Sequence, residues 1–271
     1  MKLKKNLVST LIVTYNAQNY ILSTIKSCLN QSYHNFEILI LDNASNDNTI
    51  KIINKIKNPK IKLYKSKKNI GPYQGLNFLL DKAKGEYIAI QDHDDLWLPQ
   101  KLEKQINYLN QNKNKNACGT RTFIFYENKQ VLISDNKPED INYVNHTSLM
   151  FRNNGYRYNL RYLLTDEHFE KIILSGNQIK IHCLKDILSL HRIRGDRHNL
   201  SRTRFVFNQK NINQYFLINK PSINSIVNLL GIFVAKYFPP SLEWFVINKI
   251  VKSKSKKISL IDFQKKYPNL I

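Results

Sequence analysis

The stretch IAIQDHDDLWLP, residues 88–99, ends an apolar strand in a dense group of acids and then returns at once to apolar residues. Three carboxylates, Asp92, Asp94 and Asp95, stand within four positions of a chain whose formal net charge is +22. A continuously apolar strand is typical of a parallel sheet covered by helices on both faces. In such sheets ligands bind beyond the carboxyl ends of the strands, so this stretch predicts both the fold and the place of its site.

An alternation of strand and helix patterns precedes and follows this stretch. Apolar runs of strand length cover residues 8–13, 36–41, 61–64 and 87–90, and segments of helical character cover 21–29, 49–56, 72–84 and 99–109. Strands that alternate with helices imply right-handed crossovers between parallel strands. We therefore predict an α/β fold with a Rossmann-like, mostly parallel central sheet flanked by helices.

Polar residues follow each of the four predicted strands. They are Thr14, Tyr15 and Asn16 after the first, Asp42, Asn43, Ser45 and Asp47 after the second, Asn69 and Gly71 after the third, and Asp92, Asp94 and Asp95 after the fourth. Because the carboxyl ends of parallel strands meet at one edge of a sheet, we expect these residues to converge on one ligand site.

Asp92 and Asp94 are separated by one residue, a spacing at which two carboxylates can share a divalent cation. Their hard oxygen ligands suit Mg²⁺ or Mn²⁺, and substrate phosphates commonly complete the shell of such an ion. A cation held there offsets the charge that develops on a departing diphosphate. The alternative is structural, with Asp92 capping the strand end and Asp94 or Asp95 capping the next turn.

Asp42 and Gly71 each have two interpretations. Asp42 either forms a turn within DNASND or accepts a hydrogen bond from a nucleobase imide. Residues 43–47 can supply the turn, which leaves Asp42 to a ligand. Gly71 can simply provide a positive φ before Pro72. The sequence contains neither GxGxxG nor the P-loop pattern, so a dinucleotide fold and a P-loop are both unsupported.

The composition limits the class of protein without fixing it. The 271 residues include 42 Lys and Arg against 20 Asp and Glu. Nucleic acid, an anionic membrane face or phosphate-bearing molecules suit this balance, although a solvated basic surface explains it equally well. Three scattered cysteines without CxxC fit a reducing compartment. Residues 1–17 fit a first strand better than a signal peptide, and no stretch predicts a transmembrane helix.

The second half of the chain has a different organisation. The patterns predict a hairpin over 120–134, a strand over 145–152, a helix over 166–175 capped by Gly176, and strands over 179–184 and 187–191. From residue 206 onward, apolar residues recur at helical spacing over 223–237 and 242–251, and several lysines follow. This C-terminal extension either packs on the main domain or lies on an anionic membrane surface.

Four blocks of the sequence resemble the successive motifs of family 2 glycosyltransferases, which have the GT-A fold. The blocks are TLIVTYNAQNYI (10–21), EILILDNASNDNT (37–49), NIGPYQGLN (69–77) and YIAIQDHDDLWLPQKLE (87–103). Their order and spacing also resemble the family, and a weaker likeness continues toward residue 202. The resemblance implies transfer of a sugar from a nucleotide-sugar donor, usually UDP-linked, with inversion at the anomeric carbon.

The resemblance assigns the first strand ends to the donor. It implies that Thr14, Tyr15 and Asn16 lie against the nucleoside. Asn69 and Gly71 are implied donor contacts as well.

The resemblance also implies roles for the aspartates. Asp42 would hold the uracil edge, Asp92 would lie near the ribose and the metal, and Asp94 would be the principal ligand of Mn²⁺ or Mg²⁺. Asp95 would orient the site, and His93 between the metal ligands is expected to be a bystander.

Inversion by direct displacement needs a base that takes the proton of the acceptor hydroxyl. Family members carry an acidic pair, usually Glu-Asp, at the start of a helix in the second half. The matching residues here are Asp166 and Glu167, in reversed order. We favour Asp166 as the base, with Glu167 as the alternative. Both acids are equally consistent with a helix N-cap and a favourable charge in the first turn.

The stretch LSLHRIRGDRHNLS, residues 188–201, resembles the family segment that approaches the diphosphate. His191, Arg192 and Arg194 are the candidate residues, because an arginine fork matches the geometry of phosphate oxygens. The alternative is a basic surface loop.

The resemblance implies a catalytic domain over 1–205, with a nucleotide-sugar half (1–117) and an acceptor half (118–205). The basic helical segment 206–271 would follow it. The expected acceptor is a glycan or a lipid-linked glycan in cell-surface polysaccharide synthesis. The expected location is cytoplasmic, at the inner face of the plasma membrane.

Two other functions fit parts of the sequence. A non-enzymatic basic module that binds nucleic acid or anionic lipid explains the net charge, but acids at the strand ends would repel phosphate, so nucleic acid is not an expected partner. A nucleotidyltransferase would need a glycine- and lysine-rich loop after the first strand, and TYNAQN offers none. The sugar, the acceptor and the oligomeric state are not specified by these patterns.

Overall fold

A computed structural model describes residues 3–134, 139–141, 144–162, 165–174, 181–194, 208–219, single positions between 221 and 237, and 257–268. The strands are β1 (Lys4–Thr14), β2 (Phe36–Asp42), β3 (Ile61–Lys65), β4 (Gly85–Ile90), β5 (Leu96–Trp97), β6 (Ala117–Tyr126), β7 (Val131–Ser134), β8 (Asp140–Ile141), β9 (Met150–Arg152), β10 (Ile181–Ile193) and β11 (Lys257–Ser259). The helices are α1 (Ile21–Leu29), α2 (Thr49–Lys55), α3 (Pro72–Lys82), α4 (Lys101–Gln111), α5 (Thr165–His168, extended by a π-helical segment over Phe169–Leu174), α6 (Gln209–Asn219) and α7 (Leu260–Lys266).

The first four strands form the parallel part of the sheet. They lie in the order β3, β2, β1, β4. Because β1 stands between β2 and β4, its carboxyl end is the topological switch point at which open α/β sheets bind ligands. Beyond β4 the sheet continues with β9, β6, β7 and β11, while β10 runs parallel to β6 and antiparallel to β5 and β8. The predicted α/β fold with a mostly parallel central sheet is confirmed.

Strand β2 is buried at every position, and its side chains divide between two hydrophobic cores. Ile38 and Ile40 pack with side chains of α1, α2 and α4, whereas Leu39 and Leu41 pack with side chains of α3. Successive strand residues point to opposite faces, so an uninterrupted apolar strand needs helices on both sides. Each fully buried Ile or Leu contributes about 1.5–3 kcal/mol. This two-sided packing fixes the position of the strand ends.

Helix α3 begins beside the carboxyl end of β1 because Gly75 lets it approach the sheet. A Cβ atom on Gly75 would lie 2.9 Å from Cγ1 of Val13, which is closer than real side chains come. The helix follows Gly71, whose φ is +81°, and it has Pro72 in its first turn. The predicted positive φ at Gly71 is therefore confirmed, and only glycine adopts it without strain.

Several elements of the second half differ from the sequence-based prediction. The strand predicted over 145–152 is shorter, because His146–Ser148 form a 3₁₀ turn and only Met150–Arg152 pair as β9. The two strands expected over 179–184 and 187–191 form one strand, β10, whose register against β6 shifts between Leu184 and Ile187. Lys185 and Asp186 are exposed at this irregularity, and they interrupt the apolar pattern. Strand β5 was not predicted, because two residues carry no period and its pairing with β10 is tertiary.

Large apolar side chains are exposed in the described part of the C-terminal extension. They are 40–82% exposed and recur at helical spacing: Ile223, Ile226, Leu230, Phe233 and Tyr237. The cap at Gly176 and the helix over 242–251 lie outside the described residues. Within the described part of the chain, no helix combines the length and the apolar character that crossing a bilayer requires.

Lys101 at the start of α4 is fully buried, which is rare for a lysine. Its Nζ atom donates a 2.8 Å hydrogen bond to Oε1 of Gln105 and lies 4.0 Å from the ring centroid of Trp97. Burial lowers the pKa of the Lys101 amino group to about 7, although the neighbouring Cys118 and Cys28 thiols oppose this shift. The protonated form is therefore disfavoured in the folded protein.

The free energy of unfolding should consequently rise with pH just above neutrality. Between the folded pKa near 7 and the unfolded pKa near 10.5, the unfolded chain binds about one more proton at Lys101, so folding gains about 1 kcal/mol per pH unit. We expect this rise in urea titrations between pH 7 and 8.5, and its absence in Lys101→Met. The exposed Lys104→Met is the matched control and should keep the wild-type slope. Equal slopes in all three proteins would contradict the prediction.

Candidate functional site

The ends of β1, β2 and β4 meet at the switch point. Thr14 and Asp42 are register partners in the β1–β2 ladder. The amide of Gln91 donates to the carbonyl of Leu11 at 3.0 Å, so the acidic loop leaves β4 beside β1. Three of the four predicted groups of strand-end residues are thus brought together by the parallel pairing itself.

The loops after β1 and β2 are hydrogen-bonded to each other. The amide of Asn16 donates to Oγ of Ser45 at 3.0 Å, and Oδ1 of Asn16 accepts from the amide of Asn46 at 2.9 Å. Asn16 has a φ of +48°, a conformation that asparagine tolerates better than most residues. Asn16 therefore shapes the loop, and its neighbour Tyr15 is 39% exposed.

Asp42 forms the predicted turn interaction with one of its two carboxylate oxygens. Its Oδ2 atom accepts a hydrogen bond from the amide of Ser45 at 3.1 Å, which is the turn interaction. Its Oδ1 atom is buried and has no hydrogen-bond partner within the described protein. Oγ1 of the neighbouring Thr14 is likewise buried without a hydrogen-bond partner in the described protein.

Asn43, directly after β2, organises the loop before α3. Its Nδ2 atom donates to Oδ1 of Asn69 at 2.9 Å and to the carbonyl of Gly71 at 3.2 Å. Its Oδ1 atom accepts from the amide of Ile70 at 2.9 Å. Asn69 in turn accepts from the amide of Gly71. The side chain of Asn69 is therefore engaged in the loop, which is joined to the end of β2.

The acidic loop presents its first two aspartates differently. The side chain of Asp92 is 42% exposed, whereas that of Asp94 is only 4% exposed. Oδ2 of Asp94 lies 3.4 Å from Nε of Arg194, but it makes no hydrogen bond within the described residues. Thr24 of α1 holds the loop, because its hydroxyl lies 2.9 Å from the carbonyls of both His93 and Asp95.

Asp95 fastens β10 to the acidic loop. Its Oδ2 atom lies 2.9 Å from Nδ1 of His191, and its Oδ1 atom accepts from the amide of Arg192 at 2.8 Å. Burial raises the pKa of Asp95 to about 6. Burial alone would lower the pKa of His191, but the charge of Asp95 raises it to about 9, so the two form an ion pair at neutral pH. His191 is thereby oriented at the edge of the site.

Arg192 forms part of the wall of the site. Its guanidinium lies 5.1 Å from the ring centroid of Tyr20 and 5.2 Å from that of Phe125. It donates to the carbonyl of Asp94 at 2.9 Å and to Glu127 at 3.1 Å. These contacts hold the guanidinium of Arg192 against other side chains and the backbone of the acidic loop. The guanidinium of Arg194 lies 5.6 Å from the ring centroid of Tyr20, and its Nε atom lies 3.4 Å from Oδ2 of Asp94.

The acidic pair on α5 divides into two environments. Oε2 of Glu167 accepts a 3.0 Å hydrogen bond from Nζ of Lys171, and both side chains are nearly buried. The pKa of Asp166 is raised mainly by burial and further by the charge of Glu167, while His146 opposes the shift. Asp166 therefore accepts a proton more readily than a solvated aspartate does.

His146 is a site residue that sequence reasoning missed. Its Nδ1 atom lies 3.6 Å from Oδ1 of Asp92, and its Nε2 atom lies 2.8 Å from the hydroxyl of Tyr158. Burial would lower the pKa of His146, but Asp92, Asp166 and Glu170 raise it to about 9. A lone histidine at the start of a predicted strand gives no signal of this role, because Asp92 is 54 positions away and reaches it only through the fold.

Buried polar atoms without a hydrogen-bond partner concentrate at this edge of the sheet. Within the described residues they include Thr14 Oγ1, Asp42 Oδ1, His93 Nε2 and Asp94 Oδ2. Each such atom costs about 1–3 kcal/mol unless a ligand satisfies it. No three His, Cys, Asp or Glu side chains of the described chain form a metal cluster by themselves. The exposed carboxylate of Asp92 and the unsatisfied carboxylate of Asp94 fit a hard cation. Oxygens of a bound ligand would complete the coordination shell of that cation.

This sheet order, with a DxD loop at the switch point, defines the GT-A class of glycosyltransferase folds. The structure superposes on residues 1–349 of TarS from Staphylococcus aureus, solved in complex with UDP-GlcNAc, with a TM-score of 0.62, 16% identity and coverage of 100% of this chain and 78% of that one. It also resembles the mannosyltransferase PcManGT from Pyrobaculum calidifontis, solved with GDP-Man and Mn²⁺, with a TM-score of 0.61, 14% identity and coverage of 91% and 80%.

The chain belongs to glycosyl transferase family 2, whose family model matches residues 9–171. One relative is the UDP-Glc:alpha-D-GlcNAc-diphosphoundecaprenol beta-1,3-glucosyltransferase WfaP of Escherichia coli, which is 38% identical over 143 residues. That match covers 51% of this chain and 54% of the relative. The chain spans about half the length of several curated relatives that it matches. The predicted family is thereby confirmed.

Proposed function

We propose that this protein is an inverting glycosyltransferase that moves a sugar from a UDP-sugar to a hydroxyl of a glycan or lipid-linked acceptor in cell-surface polysaccharide synthesis. The observation that carries the proposal is the group of unsatisfied buried atoms on Thr14, Asp42 and Asp94 at the switch point of the sheet. The E. coli relative is named for a UDP-glucose donor and a diphosphoundecaprenol-linked acceptor, which supports this choice of substrates.

The donor nucleoside lies against the loops after β1 and β2. Oδ1 of Asp42 accepts the imide hydrogen of uracil, which satisfies the buried oxygen. Thr14 and Tyr15 line the same pocket with the loop that contains Asn69 and Gly71. Asn16 holds the two loops in register through Ser45 and Asn46.

Asp94, together with the more exposed Asp92, would hold Mn²⁺ or Mg²⁺. When bound, such a cation supplies charge stabilisation for the departing diphosphate. Mn²⁺ in the structural relative PcManGT supports this choice. Arg194, whose Nε atom lies 3.4 Å from Oδ2 of Asp94, and His191, which is paired with Asp95, are the basic residues that approach the diphosphate.

Asp166 acts as the general base. Its carboxylate takes the proton of the acceptor hydroxyl, the hydroxyl oxygen forms the new bond to the anomeric carbon, and the bond from that carbon to the diphosphate breaks. The raised pKa of Asp166 suits this task, since a base works best when its pKa lies nearer the working pH. Glu167 remains bound to Lys171 and keeps the helix start in place.

The acceptor half corresponds to residues 118–205 and the donor half to 1–117, within a catalytic domain over 1–205. Within 206–271, the described end of the segment packs on the main domain, through β11 against β7 and Phe263 against Phe123. The part around residues 223–237 docks peripherally on the cytoplasmic face of an anionic membrane. Its exposed apolar side chains, among them Ile223, Leu230 and Phe233, and the net charge of the chain support this location.

Binding of UDP with and without Mn²⁺ tests the proposed function. We expect calorimetry on the full chain to show UDP binding that weakens at least about tenfold when EDTA replaces Mn²⁺. A panel of UDP-sugars, followed by UDP release, then identifies the donor. GDP is the matched control for Asp42 and should bind more weakly. Absence of UDP binding, or tight RNA binding with a steep salt dependence, would overturn the proposal.

A further inference from the structure

His146 contacts both Asp92 of the acidic loop and Tyr158, and hydrogen bonds fix the turn that carries it. It begins a short 3₁₀ turn, His146–Ser148, whose residues Thr147 and Ser148 are almost completely buried. The hydroxyl of Thr147 donates to Oε1 of Gln91 at 2.8 Å, directly before the acidic loop. The carbonyl of Thr147 accepts from Nε1 of Trp97 at 2.8 Å. The turn is therefore bonded to both ends of the acidic loop.

Tyr158, the second partner of His146, is equally well fixed. Its amide donates to Oδ1 of Asn77 on α3 at 2.8 Å, and its carbonyl accepts from Nδ2 of the same side chain at 2.9 Å. Its ring stacks on Phe169 with a centroid distance of 4.0 Å and on Tyr73 with 5.5 Å. Phe169 lies three residues after Asp166, so Tyr158 packs against the segment that carries the candidate base.

We propose that His146 is a positioning residue that aims the carboxylate of Asp92 at the donor and is itself held by the hydroxyl of Tyr158. The fixed hydroxyl of Tyr158 at Nε2 and the bonded turn that carries His146 orient the imidazole, so that Nδ1 faces Oδ1 of Asp92 at 3.6 Å. Asp92 is half-exposed and would otherwise sample several rotamers. This inference rests on the proposed function, because it assigns Asp92 to the donor side.

The inference is tested by the affinity for UDP with Mn²⁺ in a double-mutant cycle. We expect His146→Ala to weaken binding about 10–100-fold, the usual cost of losing a residue that orients a metal-binding carboxylate. Tyr158→Phe removes one hydrogen bond and should weaken binding about fivefold. Because Tyr158 acts through His146, the double variant should match His146→Ala within about twofold. His146→Gln keeps a donor for Asp92 and should recover most of the affinity.

Tyr33→Phe is the matched control. It also deletes one tyrosine hydroxyl, whose 2.6 Å hydrogen bond to the carbonyl of Asn6 lies near the opposite end of the sheet. Its UDP affinity should equal that of the wild type, which separates positioning from a general loss of stability.

A second readout needs neither donor nor metal. In histidine-labelled protein, the ring nitrogen resonances that disappear in His146→Gln belong to His146. Tyr158→Phe should shift these resonances, and Tyr33→Phe should leave them unchanged. Unchanged resonances in Tyr158→Phe would overturn the inference, as would wild-type UDP affinity in His146→Ala. Failure of the wild type itself to bind UDP would instead overturn the proposed function and, with it, the assignment of Asp92 to the donor, whereas the resonances would still show whether Tyr158 holds His146.

Discussion

Asp94→Asn is expected to remove nearly all transferase activity, with kcat/KM falling about a thousandfold. The loss corresponds to about 4 kcal/mol of charge stabilisation, within the several kcal/mol that a bound cation supplies. Asparagine has nearly the same shape, so the buried position next to Arg194 stays filled while the negative charge disappears. Initial rates of UDP release and the Mn²⁺ dependence of UDP affinity measure the effect.

The matched control is Asp186→Asn, which removes a carboxylate that is 46% exposed and bound only at the surface, to Lys104. Such a pair contributes about 0–1 kcal/mol, so this variant should keep wild-type rates. Thermal unfolding of both variants verifies that they fold. Retention of more than a tenth of the activity in Asp94→Asn would contradict its assignment as the principal metal ligand.

Asp166→Asn is expected to stop turnover while UDP binding stays intact. A general base contributes about 10²–10⁴-fold to the rate, and that contribution should appear in kcat alone. Glu167→Gln is the matched variant one position away. Its kcat should be at least about tenfold higher than that of Asp166→Asn, since Glu167 is paired with Lys171 at 3.0 Å. Its main effect should be a lower free energy of unfolding, because the nearly buried ammonium of Lys171 loses its 3.0 Å ion pair with Glu167.

Steady-state kinetics with both substrates, together with calorimetry for UDP, separates these outcomes. If Glu167→Gln lowers kcat more than Asp166→Asn does, the base is Glu167 and the assignment of Asp166 is wrong. If Asp166→Asn weakens UDP binding as strongly as it lowers kcat, Asp166 holds the donor rather than the acceptor proton.

Several parts of the site were predictable because they depend on local pattern. The apolar run over 36–41 fixed the burial of β2, and the ends of β2 and β1 then had to meet, as the pairing of Asp42 with Thr14 shows. The positive φ of Gly71 followed from its place before Pro72. The extent of β10 was not predictable, because its exposed Lys185 and Asp186 interrupt the apolar pattern while hydrogen bonds to β6 carry the strand past them.

The sequence alone determined the α/β class, the edge of the sheet that carries the site and the acids that stand there. Period-two and helical spacings encode burial, and parallel strands have only one way to align their ends. Only the tertiary structure decided that Arg192 is enclosed by Tyr20 and Phe125, and that His146 contacts Asp92 and Tyr158. Such contacts join side chains far apart in the chain, and their geometry depends on packing for which the sequence has no local signal.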